Sequence, residues 1–307
     1  MAYELIYTSA ERGLRPGTRG FCTVAFTRGM PPPLVQLLEA MSAYKNLYGV
    51  HEEPAGPEPV SWSHYRSNLA GREATILSRV GPMAADHTGR TNKLAHHVLV
   101  PARERPAGGP VWVSQQPGFF AESWDEPAHY LEMPKAVPSG DGRGGKAVAW
   151  ERLTGDAGQA SCLAEAYLAN PSGVVLVMFA PGMDMLPLLG ESMALLPPAV
   201  RWQVTYSTYF TGLPAGSTCC WRCCVAGSVV SREASRLPGA MVIDLTAPLP
   251  AVSAGPLADL ARNGRPAGAG VGAVSAIEAP VPAARPRSGP VVGRHLNMLN
   301  LKPRKPE

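Results

Sequence analysis

Residues 5–30, LIYTSAERGLRPGTRGFCTVAFTRGM, decide how the rest of the chain is read. Two apolar runs of strand character, 5–7 and 21–26, flank a segment that carries Arg12, Arg15 and Arg19 among Gly13, Pro16, Gly17 and Gly20. A hairpin is expected, its connection sharply turned and its backbone N–H groups facing outward beside three guanidinium groups. Such forks and open amides are how proteins receive phosphates, carboxylates or a partner's acidic surface. The segment lacks GxxxxGK[ST] spacing, so it carries no P-loop reading.

Working outward, Pro31, Pro32 and Pro33 close the second strand and suit the first turn of a helix. Leu34, Leu37, Leu38, Met41 and Tyr44 then recur at helical spacing, which predicts an amphipathic helix facing a core. Residues 49–59 read as a loop from their Gly and Pro content. The stretches 60–67 and 73–80 alternate around a short connection containing Gly71 and predict a second hairpin. After it comes GPMAADHTGRTNK, residues 81–93, polar and glycine-punctuated, leading into the strand LAHHVLV. Asp86, His87, Arg90, Asn92 and Lys93 make this a second candidate binding segment. Strand alternation sets His96 with Leu94, Val98 and Val100, and His97 on the opposite face, so the two cannot serve one site.

Further on, residues 111–114 read as a short strand. The Gly- and Pro-rich stretch 134–146 is a candidate boundary between two lobes of a domain spanning 1–246. Asp156 suits a helix cap, with Leu163, Ala166 and Tyr167 as the inward face. The run VVLVMFA (174–180), a helix over 183–196 and an alternating strand over 200–210 predict a β-α-β unit with parallel strands. Residues 219–227 and 241–245 supply closing strands. The fold class is therefore mixed α+β: antiparallel hairpins, one β-α-β unit and about three main helices. Beyond Thr246 the chain is rich in Ala, Gly and Pro and has no aromatic residue, so 247–307 is expected to be a disordered tail.

Composition bounds the function. The formal charge of +4 comes from 28 basic and 24 acidic side chains, but residues 281–307 hold six of the basic ones and a single acidic one. The body is thus close to neutral, and the pI near 8.8 does not mark a nucleic-acid-binding fold. Only weak nucleic-acid contact through the basic end is expected. No apolar run reaches the roughly 18 residues of a membrane span, and the start MAYELIYTSA lacks a signal-peptide layout, so a cytoplasmic protein without membrane contact is expected. Six cysteines, four of them in CCWRCC (219–224), read as reduced thiols. That run contains one CxxC without a second ligand pair, and strand geometry sends Cys219 and Cys223 one way and Cys220 and Cys224 the other; no metal site is expected. No cofactor motif is present either. Asp184 sits where it would cap the helix after the apolar strand.

The succession of LIYTSAERGLRPGTRGFCTVAFTRGMPPPL, DHTGRTNKLAHHVLV, QQPGFF, LTGDAGQA and RWQVTYSTYFTGLPAG resembles the amino-terminal domain, second type, of the GTPase-associated protein 1 family. The resemblance covers roughly residues 3–245. It implies a component of GTPase-centred bacterial conflict or defence systems, acting beside a separately encoded GTPase and other proteins. It brings no catalytic residues with it, and it leaves only the low-complexity tail after the first domain. The leading expectation is a non-enzymatic interaction module using Arg12, Arg15, Arg19, Asp86, His87, Arg90, Asn92 and Lys93 to hold a partner or an anionic ligand. The alternative is a cysteine- and histidine-dependent hydrolase or transferase using Cys22, His97 or His87, and Asp86.

Overall fold

The computed structural model describes residues 1–49, 52–69, 72–234 and 236–264. The opening hairpin is β1 (Tyr3–Ala10) and β2 (Gly20–Thr27), antiparallel with Leu5 opposite Phe26 and Thr8 opposite Cys22. Between Ile6 and Tyr7 the register shifts, because β2 carries one extra residue at Val24. Helix α1 (Pro32–Met41) follows and buries Leu34, Val35 and Leu38 against this hairpin. It stops one turn short of Tyr44, whose hydroxyl instead donates to Pro59 O at 2.7 Å. The second hairpin is β3 (Ser61–Leu69) with β4 (Arg72–Met83); its expected Gly71 turn lies outside the described residues. Strand β5 (Asn92–Leu99) then pairs antiparallel with both β4 and β1.

Residues 111–114, expected as a strand, lie in helix α2 (Gly109–Ser114): Pro110 fits a first helical turn, and Ser114 donates back to Pro110 O at 3.0 Å. Strand β6 (His129–Leu131) pairs parallel with β2 at the sheet's edge. The glycine-rich segment around 140–146 is pinned from below. Buried Arg201 donates to Asp141 O at 2.8 Å, Ala107 O at 3.0 Å and Leu196 O at 3.0 Å. Helix α3 (Val148–Thr154) begins after it, its first N–H groups accepted by Glu191. Asp156 caps a 3-10 turn at 157–160 through Gly158 N, and α4 (Ser161–Ala169) continues with Leu163 and Tyr167 buried.

The β-α-β unit is present in altered form. It consists of β7 (Val175–Phe179), α5 (Met185–Ala194) and β8 (Tyr206–Ser207), with Asp184 accepting from Leu186 N at the helix start. The expected strand over 200–210 is reduced to β8: helix α6 (Pro198–Arg201) and a turn occupy its start, because Pro197 and Pro198 begin a helical turn there, and the rest is irregular. Both β7 and β8 run parallel to β10 (Trp221–Val225), which lies between them, while β9 (Ser217–Thr218) pairs with β3. In β10, Cys223 faces the main core. Cys219 precedes the strand and joins Cys224 on the other side, correcting the expected pairing of Cys219 with Cys223. Helix α7 (Val229–Ala234) and β11 (Met241–Asp244) complete the sheet.

The whole forms one eleven-stranded sheet in the order β11-β7-β10-β8-β3-β4-β5-β1-β2-β6, with β9 beside β3. Its middle is antiparallel and its β7–β11 side parallel. The expectation of a disordered tail from residue 247 is corrected for residues up to 264, which the structure places. Helix α8 (Pro256–Asn263) buries Leu257, Ala258 and Ala261, and Arg262 holds Asp156 through two hydrogen bonds of 2.8 and 2.7 Å. Residues 265–307, with the basic end at 281–307, lie outside the described residues.

Candidate functional site

Strand order alone brings the two polar segments together. β1 ends at Ala10 and β2 begins at Gly20; β4 ends at Met83 and β5 begins at Asn92, with Thr8 of β1 opposite Leu94 of β5. Both connections therefore leave the sheet at the same end. Ser9 couples them: its Cα lies opposite Phe21 in the β1–β2 register, and its hydroxyl donates to Asp86 Oδ2 at 2.8 Å.

Each loop is held by its own bonds. In the first, Gly13 N donates to Thr18 O and Leu14 N to Thr23 O, both at 2.9 Å, folding the connection back along β2. Gly13 is required there, since a side chain would meet the Thr18 hydroxyl and Cys22 Sγ. In the second, Asp86 Oδ1 accepts from Thr88 Oγ1 at 2.6 Å, Thr88 N at 2.8 Å and Arg90 N at 3.1 Å. The Thr88 hydroxyl foremost, with the Arg90 amide and Ser9, keeps the Asp86 carboxyl well below its ordinary range. Asn92 is buried at the base, its Oδ1 accepting from Thr8 Oγ1, Ser9 N and Lys93 N. Asp86 and Asn92 thus build the loop, leaving the cations to face outward.

Those cations are Arg12, Arg15, Arg19 and Arg90, all exposed, with exposed His87 beside them. Arg15 lies 3.5 Å from Glu39 Oε1 on α1. Among the described residues no carboxylate stands within ion-pair distance of Arg12, Arg19 or Arg90. Lys93 is half-buried, its ammonium 5.1 Å from the Phe21 ring centre and 5.8 Å from that of Tyr7. Burial lowers its pKa. Ser9, Tyr7 and Phe21 were not singled out as site residues by sequence reasoning. The signal available was position: Phe21 is a large apolar residue at the mouth of the arginine loop, on the strand face of Thr23.

The two histidines are structural groups on opposite faces of β5. His97 is fully buried between Ser78 Oγ at 2.7 Å from Nδ1 and Ser42 Oγ at 2.9 Å from Nε2. Ser42 donates to Leu38 O, so His97 Nε2–H donates to Ser42 and Nδ1 accepts from Ser78, a neutral ring with both nitrogens used. Burial, with His96 adding, brings its pKa down to about 3. His96 accepts from Ala121 N at Nδ1 and donates from Nε2 to Glu4 at 2.9 Å.

Cys22 shares the face of Ile6 and Leu94, not that of His97, so the suggested thiol–imidazole pair is not brought together. Cys22 is 6% exposed and its thiol pKa is pushed up, burial leading. Phe26, which strict alternation from Cys22 would put on the same face, lies on the α1 side, because the extra residue at Val24 reverses the alternation. Among the described residues no three His, Cys, Asp or Glu side chains converge as metal ligands, and no helix is long and apolar enough to cross a membrane.

Fold and site together define an α+β protein built on one mixed sheet with paired cationic loops at one end. The chain belongs to the GTPase-associated protein 1 family: its N-terminal domain type 2 matches residues 1–137 and its middle domain matches residues 148–247. The stretch read from resemblance as a first domain over about 3–245 is thus divided between two family domains, and more than a tail follows the first. No curated protein and no solved structure matches the chain.

Proposed function

We propose that this chain is a non-enzymatic interaction module of a GTPase-associated bacterial conflict system, holding an acidic partner or anionic ligand between its two end loops. The cytoplasm is its place of action, and a GTPase of the same system is its first partner. One observation carries this reading: Ser9 joins the two loops at one end of the sheet while Arg12, Arg19 and Arg90 stand exposed, with no carboxylate among the described residues at ion-pair distance. Guanidinium groups held by a rigid scaffold, rather than by a mobile arm, give up little freedom on binding an oxyanion.

The family's printed name supports the link to a GTPase. The test is affinity capture from the native host with the tagged chain, comparing it with the Arg12→Ala, Arg15→Ala, Arg19→Ala variant. Recovery of the system's GTPase by the unaltered chain and its loss from the variant are expected. Equal recovery by both would remove the loop from the interface.

A further inference from the structure

Resting on the proposed binding surface, we infer that its ligand is a nucleoside phosphate, either free or as one unit of a single strand, with the base against Phe21 and the phosphates among Arg12, Arg19 and Arg90. Phe21 is 46% exposed although it is the second residue of β2 and the next three, Cys22, Thr23 and Val24, are buried. Its position is fixed from several directions. Its carbonyl accepts from Tyr7 Oη at 3.0 Å, it stands opposite Ser9, and Lys93 lies by its ring. Gly20, with φ +71, turns the chain between Arg19 and Phe21, so the arginine loop departs directly beside the ring. The β4–β5 loop, with Arg90, reaches the same place through the Ser9–Asp86 bond.

A peptide carboxylate would be satisfied by the guanidinium groups and gives no use to a half-exposed phenyl ring with an ammonium over it. A ligand with a flat aromatic part joined to an anionic part uses both, through base stacking and ion pairing. Nucleoside phosphates have that composition.

The experiment is calorimetric titration of the full chain at low salt with ATP, with inorganic triphosphate and with a short oligo(dT). ATP or the oligonucleotide is expected to bind, and the arm that binds more tightly identifies the free or the strand form. Phe21→Ala is expected to weaken that binding about fivefold or more while leaving triphosphate binding unchanged, and Phe21→Trp to retain it. The triple arginine variant is expected to lose binding of all three. Absence of ATP and oligonucleotide binding, or affinities equal to that of triphosphate and indifferent to Phe21→Ala, would overturn the inference. If arginine-dependent capture of the GTPase persists in that case, only the nucleotide assignment falls. If capture survives the arginine substitutions, the surface itself falls. Circular dichroism of each variant secures that the fold is retained.

Discussion

At the residue scale the chain places titratable groups deep in its sheet: His97 between two hydroxyls, His96 between the Ala121 amide and the Glu4 carboxylate, and His64 against Val204 O. Burial lowers the pKa of His64 and His97 to about 3 and lowers that of His96 as well. These rings bind protons more readily in the unfolded chain, whose histidines titrate near 6.5. Below that value the unfolded state takes up more protons than the folded one, so stability is full above it and is lost as the pH falls below it, for His64 and His97 down to about 3. Each ring removes up to about 1.4 kcal/mol per pH unit in that window. Urea denaturation should show the midpoint dropping between pH 7 and pH 5, above the range where Asp156, held near 2 chiefly by Arg262, contributes. A flat midpoint over that range would contradict the buried neutral rings. His97→Ala should cost about 2–4 kcal/mol, since it opens a cavity and strands the hydroxyl of Ser78, while Ser42 keeps its bond to Leu38 O. Cysteine behaviour follows the same logic. Maleimide followed by peptide mass spectrometry should modify Cys162 and Cys220 in the native protein, and Cys22, Cys219, Cys223 and Cys224 only after denaturation. Ready native labelling of Cys22 would revive a thiol mechanism.

At the scale of elements, legibility in the sequence depended on how much each element relies on its own residues. The two hairpins were readable because alternation and glycine-bearing connections are local properties, and so was β7, an apolar run buried on both faces. Residues 200–210 alternate just as well, yet Pro197 and Pro198 at their start nucleate a helical turn, and only Tyr206–Ser207 find a ladder. Residues 111–114 were misread for a similar reason: the apolar run is β-like, while Pro110 and the approach of α5 favour a helix. Helix α8 was invisible because its burial depends on Asp156, about a hundred residues away, receiving Arg262. Leu257→Ala should therefore destabilise the protein by about 2–4 kcal/mol, measurable by chemical denaturation. No change would mean that α8 is not part of the core. Of the candidate site, the residue types and both loops were legible, whereas their meeting was not. It depends on β5 pairing with β1 across the intervening chain, and on Ser9, whose sequence context gives no signal.

For the whole molecule, the informative fact is that the two family domains share one sheet. β3 of the first pairs with β8 and β9 of the second, and Thr208 and Trp62 exchange bonds across the seam, Thr208 N to Trp62 O at 2.9 Å and Trp62 N to Thr208 Oγ1 at 2.8 Å. Calorimetry of the full chain should accordingly give one cooperative transition; two separated transitions would show that the seam does not couple the halves. The same continuity gives the end loops a stiff base, which is what a preorganised cationic surface needs. The decisive measurement is the dissociation constant between the purified chain and the GTPase we propose as its partner, with and without Arg12→Ala, Arg15→Ala and Arg19→Ala. A weakening of about tenfold or more, with a shallower dependence on salt, is the predicted result. An unchanged constant in a variant that keeps its fold would contradict the assignment of this end of the sheet to partner binding.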